Sequence, residues 1–238
     1  MRLILSPHLD DALLSLGGFL YETQDIPTKV ISIFNTGWTC LELPITPENL
    51  TKLNLEEHKI VMDELNCIND YWDYPEALLR DYKKWNAKLN VRRDRLLYET
   101  LKKRIYDCIS EGEYSQIFCP MSIENHVDHE LIFQIINDLL IENWVVWNKI
   151  DFFLYEDLPY AYYINMRDEL KRVNKYYQLA DYIQNIDKFV EKKKSLLLEY
   201  KSQVTPEDIH KTIEYSKKIY TQGSAERFWK IEKLNNFN

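Results

Sequence analysis

The stretch Arg2-Leu3-Ile4-Leu5-Ser6-Pro7-His8-Leu9-Asp10-Asp11-Ala12-Leu13-Leu14-Ser15-Leu16-Gly17-Gly18 decides the fold. A short apolar run stops at Ser6-Pro7, a His and two Asp follow, and apolar residues then recur at helical intervals. That order predicts a buried strand, a turn carrying His8, Asp10 and Asp11, and a helix opening near Asp10. Three metal-competent side chains at such a junction need partners, because buried charges persist only when paired or bound to a metal. Alone, Asp10-Asp11 also reads as a helix cap and first-turn carboxylate set against the helix dipole. A second cluster far downstream, Asn125-His126-Val127-Asp128-His129, makes the cap-only reading inadequate.

Outward from that turn, strand and helix patterns alternate. Strands are predicted over Arg2–Leu5, Lys29–Phe34, Tyr71–Tyr74, Gln116–Cys119 and Lys149–Tyr155. Helices are predicted over Asp10–Glu22, Leu50–Leu65, Val91–Ser110, Asp128–Ile141, Ile186–Tyr200 and from the Thr205-Pro206 cap to Tyr220. Such alternation implies an α/β fold, a Rossmann-like three-layer αβα arrangement around a mainly parallel sheet. No repeat or linker divides the chain, so residues 1–238 read as a single domain. The Pro/Gly-punctuated loop Asn35–Asn49 is long enough to be functional.

Composition narrows the function classes. The chain has 238 residues, 45% of them hydrophobic, and a formal net charge of -8. That balance argues against a non-specific nucleic-acid surface or an anionic membrane as partner. The N-terminus enters a strand at once, without a secretory signal pattern, and no apolar run is long enough to span a bilayer. Cys40, Cys67, Cys108 and Cys119 lack CxxC spacing, as expected of reduced thiols, and a cytoplasmic location follows as an expectation.

In an open α/β sheet, ligands bind beyond the carboxyl ends of the strands. Ser6–Asp11 and Pro120–His129 each follow such an end, so both clusters face one crevice. Two imidazoles and one carboxylate, with positions left for water, suit catalytic Zn²⁺, and the same set suits Fe²⁺. The candidates are His8, Asp10, Asp11, His126, Asp128 and His129, more than a metal needs. The surplus supplies a general base and an oxyanion donor for hydrolysis.

Ser6-Pro7-His8-Leu9-Asp10-Asp11-Ala12 with Gly17-Gly18 resembles the signature of the PIG-L/LmbE-like deacetylases, and His126-Val127-Asp128-His129 resembles that family's HxDH segment. Weaker similarity extends to Glu57, Pro75–Arg80, Tyr155–Tyr160, Lys194, Tyr200–Gln203 and Gly223–Phe228, and so over nearly the whole chain. The resemblance implies a zinc-dependent enzyme that removes the acetyl group from an N-acetylated amino sugar, a small-molecule substrate. By motif position it implies His8, Asp11 and His129 as metal ligands and Asp10 as the base for the metal-bound water. It implies His126 as the group that stabilises the oxyanion or protonates the leaving amine, with Asp128 holding the His126 ring oriented and cationic. Ala12 and Leu9 replace the Glu and Pro of many members, at positions that are not ligands, and this weakens inference about the substrate. The alternatives are an amidase for a larger acyl group on a glucosaminyl conjugate, and a catalytically silent metal-binding partner of a glycosyltransferase assembly.

Three further residues are candidates for substrate binding: Asn35 and Trp38 in the loop after the second strand, and Arg80 towards a sugar hydroxyl or phosphate. Lys192-Lys193-Lys194 reads as a solvated helix face. His58 and His210, set among charges on predicted helices, receive no role.

Overall fold

The computed structural model describes residues 1–36, 45–220 and 222–235. Strands β1 (Arg2–Ser6), β2 (Thr28–Ser32), β3 (Cys67–Tyr71), β4 (Gln116–Pro120), β5 (Asp151–Tyr155), β6 (Tyr177–Asn185) and β7 (Ala225–Leu234) form one sheet in the order β3-β2-β1-β4-β5-β7-β6. The first five are parallel; β7 runs antiparallel to both β5 and β6. The helices are α1 (Asp11–Glu22), α2 (Pro47–Glu64), α3 (Arg95–Glu111), α4 (Val127–Asn143), α5 (Met166–Val173), α6 (Val190–Leu197) and α7 (Pro206–Ile219). Helix α1 packs with α6 and α7, and α3 packs with α4, giving the three-layer α/β architecture.

β1 is buried at every position, as a central parallel strand covered on both faces must be. Its neighbours are β2 on one side and β4 on the other, so the direction in which the chain winds reverses between β1 and β4. At such a switch point the loops after two adjacent strands part and leave a crevice. Here those loops carry His8–Asp11 and His126–His129.

Several boundaries move. α2 starts at Pro47 rather than Leu50, because the Thr46 hydroxyl accepts from the Asn49 amide and caps it. The third strand is Cys67–Tyr71 rather than Tyr71–Tyr74, fixed by parallel pairing of Thr28–Ser32 with Cys67–Tyr71. The last predicted helix before α7 shortens to Val190–Leu197. β6, β7 and α5 were not anticipated. β6 forms the sheet edge and β7 lies between it and β5; both mix charged with apolar residues, so tertiary pairing rather than local pattern makes them strands.

Lys193 corrects the reading of the lysine run. Its ammonium is buried against the Glu226 carboxylate at 2.7 Å and the Leu14 carbonyl at 2.6 Å, while Lys194 is exposed. Glu226 also accepts from the Gly18 and Phe19 amides, each at 2.8 Å. A Cβ on Gly18 would stand 2.6 Å from Ile186 Cγ2, so glycine permits this close docking of α1. Among the described residues no helix is long and apolar enough to cross a membrane. Cys67, Cys108 and Cys119 are free; Cys40 and the greater part of the loop called over Asn35–Asn49 lie outside the described residues.

Candidate metal centre and active site

The turn after β1 is built by short local bonds. The Ser6 hydroxyl donates to the His8 carbonyl at 2.6 Å and accepts from the Ala12 amide at 3.2 Å. The His8 amide donates to Asp11 Oδ2 at 2.7 Å. Asp10 occupies the N-cap position of α1, yet its side chain makes no cap bond. The carboxylate that a pure cap would use is therefore left facing the cleft.

β4 delivers the second cluster through a turn in which Ser122, Glu124 and Asn125 all have positive φ, near 60°. Non-glycine residues adopt that conformation at a cost, and such strain collects at functional sites. β5 contributes a third element directly beyond its end, Asp157, which the sequence had offered only within a broad segment of similarity. Asp157 Oδ1 accepts from His129 Nδ1 at 2.5 Å, and its Oδ2 accepts from the Ile123 amide at 3.0 Å.

Three ligand atoms converge at the centre. His8 Nδ1 and Asp11 Oδ2 are 3.2 Å apart, His129 Nε2 and Asp11 Oδ2 3.3 Å, and the two imidazole nitrogens 3.3 Å. Both imidazoles are aimed from behind: Asp157 occupies the other nitrogen of His129, and Asp128 Oδ2 takes His8 Nε2 at 3.0 Å, while the His8 amide donates to the same Asp11 Oδ2 that faces the centre. Partners of this kind fix the tautomer and present a lone pair to a metal. Three ligands at about 2.0 Å in a tetrahedral arrangement stand roughly 3.3 Å from one another, so this donor set fits a divalent cation.

The electrostatics agree. Burial disfavours charge on His8 and His129, but Asp11, with Asp128 for the one and Asp157 for the other, outweighs it. His8 is held well above the usual histidine range and His129 at about 9. Burial also opposes the Asp11 anion, yet His129 and His8 pull its carboxyl well below the ordinary range. The site thus demands positive charge at its centre. Burial, then the adjacent Asp11 carboxylate, pushes Asp10 up to about 7. Burial, then the neighbouring His8 and His129, pushes His126 well below its usual value.

The role expected for Asp128 is corrected. Its carboxylate does not touch the His126 ring. Oδ2 takes His8 Nε2 and the Ala77 amide, each at 3.0 Å, and Oδ1 takes Arg80 Nη1 at 2.7 Å. Only the Asp128 backbone amide meets His126, donating to Nδ1 at 3.3 Å. The reason is steric: His126 caps α4, while the Asp128 side chain, in the first turn, points behind His8. With Nδ1 accepting the Asp128 amide, Nε2 is the ring position left to carry a proton, and burial beside His8 and His129 disfavours the His126 cation.

Arg80, expected towards a sugar, lies over the Phe34 ring at 4.9 Å, donates through Nη1 to Asp128 and the Pro75 carbonyl, and is not among the residues lining either cavity of the cleft. Asn35 exchanges hydrogen bonds with Asp73, its Nδ2 donating to Asp73 Oδ1 and its Oδ1 accepting from the Asp73 amide. Trp38 lies outside the described residues.

Two adjoining cavities open onto the cluster. The inner one, about 180 Å³, is lined by His8, Asp10, Asp11, His126 and Gln203 among others. The outer one, about 590 Å³, is lined by Trp85, Glu124, Tyr163 and others, and shares Glu76, His126, Tyr160 and Asp208 with the first. Trp85 stacks on His126 with centroids 5.4 Å apart, and on Tyr160 at 5.1 Å. Tyr160 and Gln203 fall within the segments of weaker similarity, whereas nothing in the sequence marked Trp85. Gln203 is placed by Glu57, a buried carboxylate that accepts from the Ser202 amide at 3.1 Å and hydroxyl at 2.7 Å.

No family model matches the chain, and no curated protein does. Solved structures do match. What the chain shares with them is its fold. A teicoplanin-pathway deacetylase in complex with teicoplanin superposes with a TM-score of 0.79 at 19% identity, covering 100% of both chains. The A40926 pseudoaglycone deacetylase gives 0.72 at 20% identity over 96% of this chain and 95% of its own. The N,N'-diacetylchitobiose deacetylase of Pyrococcus horikoshii gives 0.66 at 15% over 97% and 83%. A 4-carboxy-2-hydroxymuconate hydratase from Pseudomonas putida also matches, at 0.59 and 12% over 100% and 98%. One fold thus carries a second chemistry, and function must be argued from the site.

Proposed function

We propose that this protein is a metal-dependent hydrolase that removes the acetyl group from an N-acetylated amino sugar, with residues 1–238 acting as one catalytic domain. The observation that carries the reading is the triangle of His8 Nδ1, Asp11 Oδ2 and His129 Nε2, with edges of 3.2 to 3.3 Å. Zinc is the proposed metal. Those edges match a tetrahedral zinc set, whereas an octahedral ion with ligands near 2.1 Å calls for roughly 3.0 Å. One of the similar structures is the zinc-inhibited form of a teicoplanin deacetylase, which supports zinc affinity in this fold. The deacetylases among the similar structures act on sugar-bearing compounds, and this supports the substrate class. A reducing compartment, the cytoplasm, suits the free thiols.

A bound divalent cation supplies Lewis acidity, lowering the pKa of water and polarising the acetamide carbonyl. Asp10 stands on the inner cavity wall with a pKa near neutrality, so it takes the proton of the attacking water. His126 carries its remaining proton on Nε2 and donates it as a hydrogen bond to the carbonyl oxygen while negative charge develops there. The departing amine needs a proton, and Asp10 then holds one to return. Asp128 and Asp157 keep His8 and His129 in register and touch no substrate. The test is acetate release from a panel of N-acetylated sugars, with and without chelator. Acetate release that chelation abolishes is expected; release at the full rate by metal-free protein would overturn the reading.

A further inference from the structure

Resting on the deacetylase reading, we infer that Trp85 is the residue that positions His126 towards the developing oxyanion. Trp85 belongs to a strap, residues 81–94, that runs without helix or strand from Arg80 to α3.

His126 is lightly held by its own turn. As the N-cap of α4 its Nδ1 accepts from the Asp128 amide at 3.3 Å, longer than the usual ~2.9 to 3.0 Å of a bond from a backbone amide. That bond restrains one edge of the ring and leaves its plane to be set by neighbours. Among the described residues His8, His129 and Tyr160 approach it inclined by 68°, 45° and 41°. Trp85 lies nearly parallel, at 20°, with centroids 5.4 Å apart. Offset stacking of this kind covers a face of the imidazole, so a ring that tilts meets the indole.

Trp85 is itself fixed at both ends. Its indole stacks on Tyr160, and its carbonyl accepts from the Val127 amide at 2.8 Å. That amide is the first of α4 and has no partner within the helix. Ring and backbone of one tryptophan thus grip two consecutive residues, His126 and Val127. The strap has its own anchorage. Val127 packs with Ala77 and Tyr82 in a small apolar cluster apart from the main core, closed by Ala87 and Leu89. The Tyr82 hydroxyl donates to Asp94 Oδ2 at 2.7 Å and accepts from the Asn90 amide at 3.0 Å, joining the two ends of the strap.

Trp85 also lines the outer cavity, so a plain wall for the sugar is the competing role. The two roles differ kinetically: a wall residue acts on KM, whereas a residue that acts through His126 lowers kcat. The test measures acetate release by the zinc-loaded full chain from the panel of N-acetylated sugars, N,N'-diacetylchitobiose among them. Trp85→Leu, apolar but without a ring plane, is expected to lose about 10- to 100-fold in kcat with KM within about twofold of wild type. Trp85→Phe, which keeps a plane, should recover most of that loss. In a His126→Ala background, Trp85→Leu should change kcat by less than about twofold, because its effect passes through a side chain already removed. Equal kcat losses in the two backgrounds, a raised KM with kcat unmoved, or wild-type kcat in Trp85→Leu or His126→Ala overturns the inference and leaves the deacetylase reading standing. No acetate from any sugar of the panel with the wild-type chain overturns both.

Discussion

Asp128 Oδ2 lies 3.0 Å from His8 Nε2, joining the two sequence clusters through a contact in which neither residue uses the atom that faces the cleft. His8 thereby turns Nδ1 to the centre. Arg80 holds the far oxygen of Asp128, so the chain Arg80–Asp128–His8 is a lever behind one ligand. The equivalent lever behind His129 is Asp157.

That arrangement separates metal binding from turnover. Asp11→Ala should abolish binding of about one equivalent of zinc, measured by metal analysis after gel filtration. Asp10→Asn should retain the metal and lose about 10² to 10⁴ in kcat, the usual contribution of a positioned acid–base group. Turnover by Asp10→Asn at the wild-type rate would refute the assignment of the base.

Loosening the levers should weaken the metal without removing a ligand. Asp128→Asn and Asp157→Asn are each expected to cost about 10- to 100-fold in zinc affinity, read by competition with a chromophoric chelator. Unchanged affinity would leave both residues with a purely structural role.

Metal removal should also register in stability. Zinc that binds the folded chain stabilises it by an amount that grows with the logarithm of its excess over the dissociation constant, about 2.7 kcal/mol at a hundredfold excess, and the melting temperature rises accordingly. The shift should vanish in Asp11→Ala and persist in Asp10→Asn.

Lys193 and Glu226, each 1% exposed, form the buried ion pair beneath α1. Lys193→Met leaves the Glu226 carboxylate buried without its cation and is expected to cost about 3 to 5 kcal/mol in denaturant unfolding. A loss below 1 kcal/mol would mean that water reaches Glu226.

His58 gives a pH prediction away from the metal. Burial holds it down to about 3; its Nδ1 lies 2.7 Å from the Tyr200 hydroxyl, which donates to the Leu9 carbonyl. With the folded pKa below the unfolded 6.5, the unfolded chain binds the extra proton, so stability falls as pH drops from 6.5 towards 3. The loss reaches about 2 kcal/mol by pH 5. His58→Gln should flatten the stability curve in that window relative to wild type, by urea unfolding at each pH. Identical slopes would show that His58 is protonated in the folded chain.

Local sequence determined the alternating architecture and the two polar clusters. An apolar run broken by Ser6-Pro7 can only end a buried strand, and the period of the residues after Asp10 can only be a helix, so the candidate ligands were legible by position. Tertiary structure alone decided what each polar atom faces. Arg80 and Asn35 read as free polar groups until packing turned one onto Asp128 and the other onto Asp73. Lys193 read as solvated until β7 brought Glu226 beneath it. Asp128 read as the partner of His126, two residues away, whereas its carboxylate reaches His8 across the sheet. Periodicity reports which face of an element is buried. The partner of a buried charge is set by contacts between residues distant in sequence, and no local pattern encodes them.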